Sequence, residues 1–149
     1  YYGRSLAIQE ELGDKRGMGY SLNSIGIVHS NRVEYEKAAE HLEKSLSIQK
    51  DIGLKGLELP TTTYLYLCYT HLGKDYDEKH LHNLIKDAEK IKCEVNFRLY
   101  ELLENNSYLD SAYNQVQEEA EAMEDKLKIK FLSYPIPKTI IEKYNKVFK

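Results

Sequence analysis

The chain has 149 residues, of which 42% are hydrophobic and 30% charged, and its net charge is −3. That size suits one domain of ordinary dimensions, and the composition excludes a disordered polar segment. No overall positive field is present to attract nucleic acid or an acidic membrane, and no stretch is apolar and long enough to span a bilayer.

There are three prolines, two of them (Pro135 and Pro137) near the C-terminus, which leaves room for long helices. Cys68 and Cys93 lie 25 residues apart among apolar neighbours with no CxxC. They read as two reduced, partly buried thiols, which fits a cytoplasmic location. No signal peptide is evident, and the chain begins in mid-pattern without an initiating Met, so it reads as part of a larger protein.

An internal repeat opens the chain. Ser5–Gly13 (SLAIQEELG) aligns with Ser45–Gly53 (SLSIQKDIG), a period of 40. Ser5/Ser45, Leu6/Leu46, Ile8/Ile48, Gln9/Gln49 and Gly13/Gly53 are identical, and Leu12/Ile52 is a conservative pair. The first copy, within residues 1–14, reads as one helix stopped by Gly13. Residues 16–31 place Leu22, Ile25 and Val28 or His29 on one helical face. A turn at Asn31–Glu34 follows. Residues 35–52 then carry Ala38, Leu42, Ser45, Leu46 and Ile48 toward a core, and Gly53 ends that helix. Residues 16–53 therefore read as a helical hairpin.

A weaker copy over 57–92 has Leu65, Tyr69, Leu72, Gly73 and Tyr76 in its first helix and turn. Its second helix, 77–92, has one or two extra residues, with Ala88 and Ile91 in the places of Ser45 and Ile48. A further copy over 93–126 has Leu99, Leu103, Leu109, Ala112 and Val116. The last segment, 135–148, carries Ile140, Ile141, Tyr144, Val147 and Phe148 on one stripe and reads as a capping helix, with the two prolines imposing an extended lead-in. Residues 124–149 hold seven lysines against three acids, a net +4 that reads as a solvated lysine-rich end.

The run Leu22, Ile25, Gly26, His29, then Tyr35, Ala38, Leu42, Ser45 matches the spacing of large, small and aromatic positions in the tetratricopeptide repeat, and on these residues the chain resembles that family. His29 and Leu42 stand where the family has aromatic residues. The 40-residue period and the joint Leu12, Gly13, Asp14, Lys15, Gly17 look most like its long-helix version. That version occurs in kinesin light chain-like proteins, cell-polarity scaffolds and bacterial signalling proteins. The resemblance covers residues 1 to about 126 and is strongest over 1–56. It implies an all-α fold, a right-handed superhelical array of antiparallel helix hairpins, whose concave face is lined by the first helix of each repeat.

By the same resemblance the concave groove holds a peptide or a partner domain. Carried over position by position, the groove residues are Tyr20, Asn23, Ile27, Ser30 and Asn31 in the best repeat. Thr63, Leu67 and Thr70 follow in the next, or Tyr64 and His71 in a register one later. Phe97, Glu101 and Glu104 come from the last. Asn23 carries most weight, because an amide can donate to and accept from a peptide backbone together. Residues 18–31 and 59–73 contain no Lys or Arg, which argues against capture of a C-terminal carboxylate.

Signatures of chemistry are missing. No GxSxG, GxGxxG, P-loop or HExxH occurs. His80 and His82 are two apart, which on a helix points their rings away from each other rather than at one metal. The expectation is a non-enzymatic scaffold with no cofactor, no metal, no nucleic acid and no membrane, acting as the interaction or sensor module of a larger signalling protein. A structural spacer that packs on its own chain is the alternative. Tyr1–Leu12, without a hairpin partner of its own, is expected to let the chain pair end to end as a homodimer.

Overall fold

A computed structural model describes residues 2–149. Among the described residues there are nine α-helices and no strand. The fold is all-α. The chain forms two compact units, Tyr1–Ala88 and Glu89–Lys149.

The first unit holds α1 (Tyr2–Leu12), α2 (Lys15–Asn31), α3 (Tyr35–Ile52), a short 3-10 turn (Lys55–Leu57), α4 (Glu58–His71) and α5 (Glu78–Asp87). Each helix packs on its sequence neighbour, and α2 also touches α4. The first four helices stop in the same way. Gly13, Val33, Gly53 and Gly73 all have positive φ, at intervals of twenty residues. In each case the next amide donates back to the carbonyl five residues before it. Asp14 bonds Gln9, Glu34 bonds His29, Leu54 bonds Gln49 and Lys74 bonds Tyr69, at 2.8–2.9 Å. This backward bond satisfies carbonyls that a helix end otherwise leaves open. At Val33 the conformation is held by a β-branched residue, at φ 64°, where glycine would be unstrained.

Helix starts differ more than helix ends. Asp14 caps α2 by accepting from the Gly17 amide at 2.9 Å. Forty residues later Leu54 stands in the same place and has no side-chain acceptor, and the 3-10 turn intervenes before α4. Asp77 caps α5 through the His80 amide at 3.0 Å.

Close approach of α2 and α3 depends on Gly26. A Cβ there would lie 2.5 Å from Leu42 Cγ and 3.3 Å from the Ala38 carbonyl. Leu42 and Ala38 are fully buried as a result. α4 is buried along most of its length, from Leu59 through Cys68. Burial there outweighs the poor helix propensity of the run Thr61–Thr63.

The second unit holds α6 (Cys93–Leu103), α7 (Asn106–Glu121), α8 (Asp125–Ser133) and α9 (Pro135–Phe148). Phe97, Leu109, Ala112, Val116 and Ile140 form its core, flanked by Ile136, Ile141 and Tyr144. α9 lies on α7, and the Tyr113 and Tyr144 rings stack with centroids 3.7 Å apart.

Three expectations need correction. The helix read over 77–92 ends at Asp87, and Ala88 is extended (ψ 127°), so neither Ala88 nor Ile91 takes a helical core place. After Leu81, Leu84 and Ile85 the stripe offers only a methyl group, too little apolar surface to hold another turn. The two prolines do not precede the last helix. They lie in its first turn, where a missing N–H breaks no bond, and Tyr134 alone is the extended residue. Finally, Asp125–Ser133 forms a separate helix with no buried residue, inside the stretch read only as a lysine-rich end.

Gly26→Ala is expected to destabilise the chain by roughly 1–3 kcal/mol through overpacking against Leu42. Val33→Gly is expected to raise stability by up to about 1 kcal/mol, because relief of left-handed strain exceeds the entropy lost on adding a glycine. Urea unfolding of both variants beside the parent reads the two effects with opposite sign.

Candidate functional site

The best-defined constellation lies where α2, α3 and α4 meet. Ser45 of α3 donates from Oγ to the Gly19 carbonyl of α2 at 2.6 Å. Gln49, one turn on, donates from Nε2 to Ser45 Oγ at 2.9 Å and to Thr61 Oγ1 of α4 at 2.8 Å. Thr61 then donates to Asn23 Oδ1 of α2 at 2.7 Å. All four side chains are buried. A polar thread thus crosses three helices inside an apolar core, and its hydroxyls and amides satisfy one another except for Gln49 Oε1.

The thread recurs one repeat earlier. Ser21, forty residues before Thr61, donates from Oγ to Gln9 Oε1 at 2.8 Å, and Gln9 lies forty before Gln49. The period of the sequence is therefore also a period of side-chain bonding between a helix and the next. A further contact sets the direction of α2 against α4. Ser30 lies close enough to the Cys68 thiol to hold its titration down, seven residues along each helix from the Asn23–Thr61 bond. Two links with equal advance on both helices mean that α2 and α4 run parallel, side by side.

The structure divides the groove residues named above into two groups. Tyr20, Asn31 and Thr70 are exposed, and Ile27 and Ser30 are half-buried. Tyr20, Ile27 and Asn31 share one stripe of α2 at spacings of seven and four. Thr70 turns its hydroxyl to the Tyr66 carbonyl of its own helix at 3.0 Å. The other group is core. Asn23 is 7% exposed and its carbonyl is taken by Thr61. Thr63 has no exposed surface and donates to the Leu59 carbonyl. Leu67 is buried, and so is Phe97, inside the second unit's core. These four are packed in the core and do not lie on an open face. The physical reason for the α4 pair is that α4 packs on α3, α5 and α2 and is buried along most of its length. Glu101 is exposed in the second unit and pairs with Arg98 at 2.5 Å.

Some participants were not read from sequence. Arg16 sits just before the Lys/Arg-free window and brings its guanidinium to 5.7 Å from the Tyr20 ring centroid. The exposed face of α2 therefore carries a cation beside its aromatic residue. Ser21 and Thr61 gave no signal beyond their helical spacing, although the identity of Gln9 with Gln49 did mark the thread's other member. At the hairpin tips, Tyr35 stacks on His71 with centroids 4.2 Å apart, and Tyr69 donates to Glu43 at 2.5 Å.

Electrostatics follow burial. Burial pushes the Cys68 thiol up, a shift partly offset by Ser30. Burial and the nearby Glu119 carboxylate raise Cys93. Burial also raises Tyr66, Tyr69 and Tyr76, with Glu43 adding to the shift at Tyr69. Hydrogen bonding to Lys37 lowers the half-buried Glu34 carboxyl. Among the described residues no group of three or more His, Cys, Asp or Glu could hold a metal ion, and no helix is long and apolar enough to cross a membrane.

Comparison with protein-family models, with curated proteins and with solved structures returns no match.

Thr61→Val is expected to destabilise by roughly 1–3 kcal/mol, because it orphans both Asn23 Oδ1 and a Gln49 N–H. Gln49→Met is expected to lose less than half as much, since the Ser45 and Thr61 hydroxyls keep their acceptors. Chemical denaturation ranks the pair. A second expectation concerns alkali. The folded state holds the Cys68, Cys93 and tyrosine protons more tightly than the unfolded chain does. That stability is full below the ordinary thiol value of 9.0 and is lost as pH rises through the raised folded values. Melting temperature should fall from about pH 9 upward, and alkylation of both thiols at pH 8 should need denaturant.

Proposed function

We propose that the chain is a non-catalytic tetratricopeptide-type array that holds a peptide or partner domain, as the interaction module of a larger signalling protein. The observation that carries this reading is the doubled hydrogen bond, Gln9–Ser21 and Gln49–Thr61, forty residues apart. A side-chain bond repeated with the sequence period supports hairpin units stacked in register, and stacked hairpins make long open faces suited to extended ligands.

The holding surface is the exposed stripe of α2, with Tyr20 and Asn31, together with Thr70 at the end of the parallel α4. Tyr20 is the anchor. Its ring offers apolar area at low entropic cost, and Arg16 beside it supplies a cation for an acidic side chain of the ligand. Asn31 supplies an amide free of the core thread. The ligand is thus an extended segment with an apolar residue and a neighbouring acid. The second reading, a spacer that packs on its own chain, is favoured by a different observation: Ile8 and Leu12 of α1 are 57% and 77% exposed.

Selection of peptides from a random display library on the immobilised chain tests the first reading. A selected peptide is expected to lose about tenfold in affinity, or about 1.4 kcal/mol, against Tyr20→Ala and less against Asn31→Ala. Peptides that bind parent and both variants equally would remove the α2 face from consideration.

A further inference from the structure

The second occurrence of the repeated helix discloses what belongs against the first. In the interior, α2 lies along α3 and buries Leu42, Ser45 and part of Ile48. It does so with two glycines and one asparagine. Gly26 lets α2 approach Leu42. Gly19 receives Ser45 on its carbonyl, and a Cβ there would lie 3.7 Å from Ile48. Asn23 takes the Thr61 proton. Forty residues earlier the same surface is built again on α1. Ser5 stands for Ser45 and Ile8 for Ile48, and beside them Ser21 of α2 stands for Thr61 of α4.

None of α1 is buried, and Ile8 is 57% exposed where Ile48 is half-covered. An open groove of about 440 Å³ runs between α1 and α2, lined by Ser5, Ile8, Tyr20, Ser21 and Ser24 among others. The hydrogen bonding agrees. Thr61 donates to an asparagine and accepts from Gln49 Nε2, whereas Ser21 donates to Gln9 Oε1. The hydroxyl proton that goes to Asn23 in the interior thread is turned onto the glutamine at the groove, and the glutamine amide is turned round with it. Ser24 and Ile27 are half-buried where their counterparts Tyr64 and Leu67 are buried.

We infer that this groove is the docking site for a helix of α2's own type, with glycine or another small residue at the places of Gly19 and Gly26 and an asparagine at that of Asn23. The spacing is small, three between, asparagine, two between, small. Such a helix presents backbone to Ser5, leaves room for the Ile8 side chain, and supplies an asparagine acceptor onto which Ser21 can turn the hydroxyl proton it now gives to Gln9. A second copy of this chain does not offer that surface, because its own α2 already spends Gly19, Asn23 and Gly26 on α3 and α4. The groove shares Tyr20 with the peptide-holding face, but the inference rests on α1, and its test reads α1.

The test extends the full chain at its start with a copy of residues 15–40, so that the period of 40 continues into Tyr1. The copied helix is expected to fold onto α1, slow amide exchange across residues 2–12 at least tenfold, and raise Tm by about 5 °C. Ser5→Leu, which puts a branched side chain where the copied Gly19 must approach, should abolish both gains in the extended chain. The same change should leave the parent's Tm within about 1 °C. Ile8→Ala should reduce the gain without abolishing it. An extension that remains unfolded with α1 exchange unchanged overturns the inference, as does protection indifferent to Ser5→Leu. Sedimentation of the parent as a dimer with residues 2–12 already protected would replace the proposed helix with a second copy and overturn it equally.

Discussion

Much of the first unit depends on one shared hydroxyl. Thr61 Oγ1 accepts from Gln49 and donates to Asn23, so a single side chain of α4 is bonded to both α3 and α2. Such a thread is costly to leave half-made in a low-dielectric core and rewards only one relative placement of the three helices. Apolar packing alone would tolerate a slide of one helix past another. The thread, with the Ser45–Gly19 bond at one end, does not. It also explains why Gly26 is needed: the helices must come close enough for hydroxyl and amide to meet, and a Cβ at 2.5 Å from Leu42 would hold them apart.

Helix ends were more legible in the sequence than helix faces. Gly13 and Gly53 announced their stops because a left-handed residue is cheapest as glycine, and both take that conformation. Gly26 was legible as a close-packing site for the same steric reason. The face of α4 was not. Thr63 and Leu67 have the spacing of a groove-lining pair, yet helical spacing reports only which residues share a side, not what lies against that side. α4 is packed by α3, α5 and α2, and those contacts have no signature within the helix itself. Asn23 was singled out as an amide able to donate and accept, and its carbonyl does accept. Its partner is Thr61, 38 residues away, and a distant side chain satisfies an amide as well as a ligand does.

The two prolines near the end illustrate a related ambiguity. A proline pair suggests a break, but in the first helical turn the ring costs no hydrogen bond and its fixed φ suits the start. Pro137 is buried in the first turn of the same helix that carries Ile140 into the core of the second unit. The alternation of lysine with Leu127, Ile129 and Phe131 gave no helical stripe, and α8 correspondingly buries none of its residues. Periodicity is readable only where one face is buried, so a helix without a buried face leaves little trace.

Sequential packing in the first unit has a kinetic consequence. Each of α1 to α5 rests on the helix next to it in the chain, joined by connections of two to six residues. Almost every stabilising contact is therefore between segments near in sequence, and little loop entropy must be spent before contacts form. Folding of such an arrangement starts at its best-buried pair and spreads outward by addition of neighbours. The nucleus is α2 with α3, the pair locked by Gly26 and Ser45. α1, which has no buried residue, is the last to join and the first to fray, so hydrogen exchange should grade along the chain from α3 toward Tyr2.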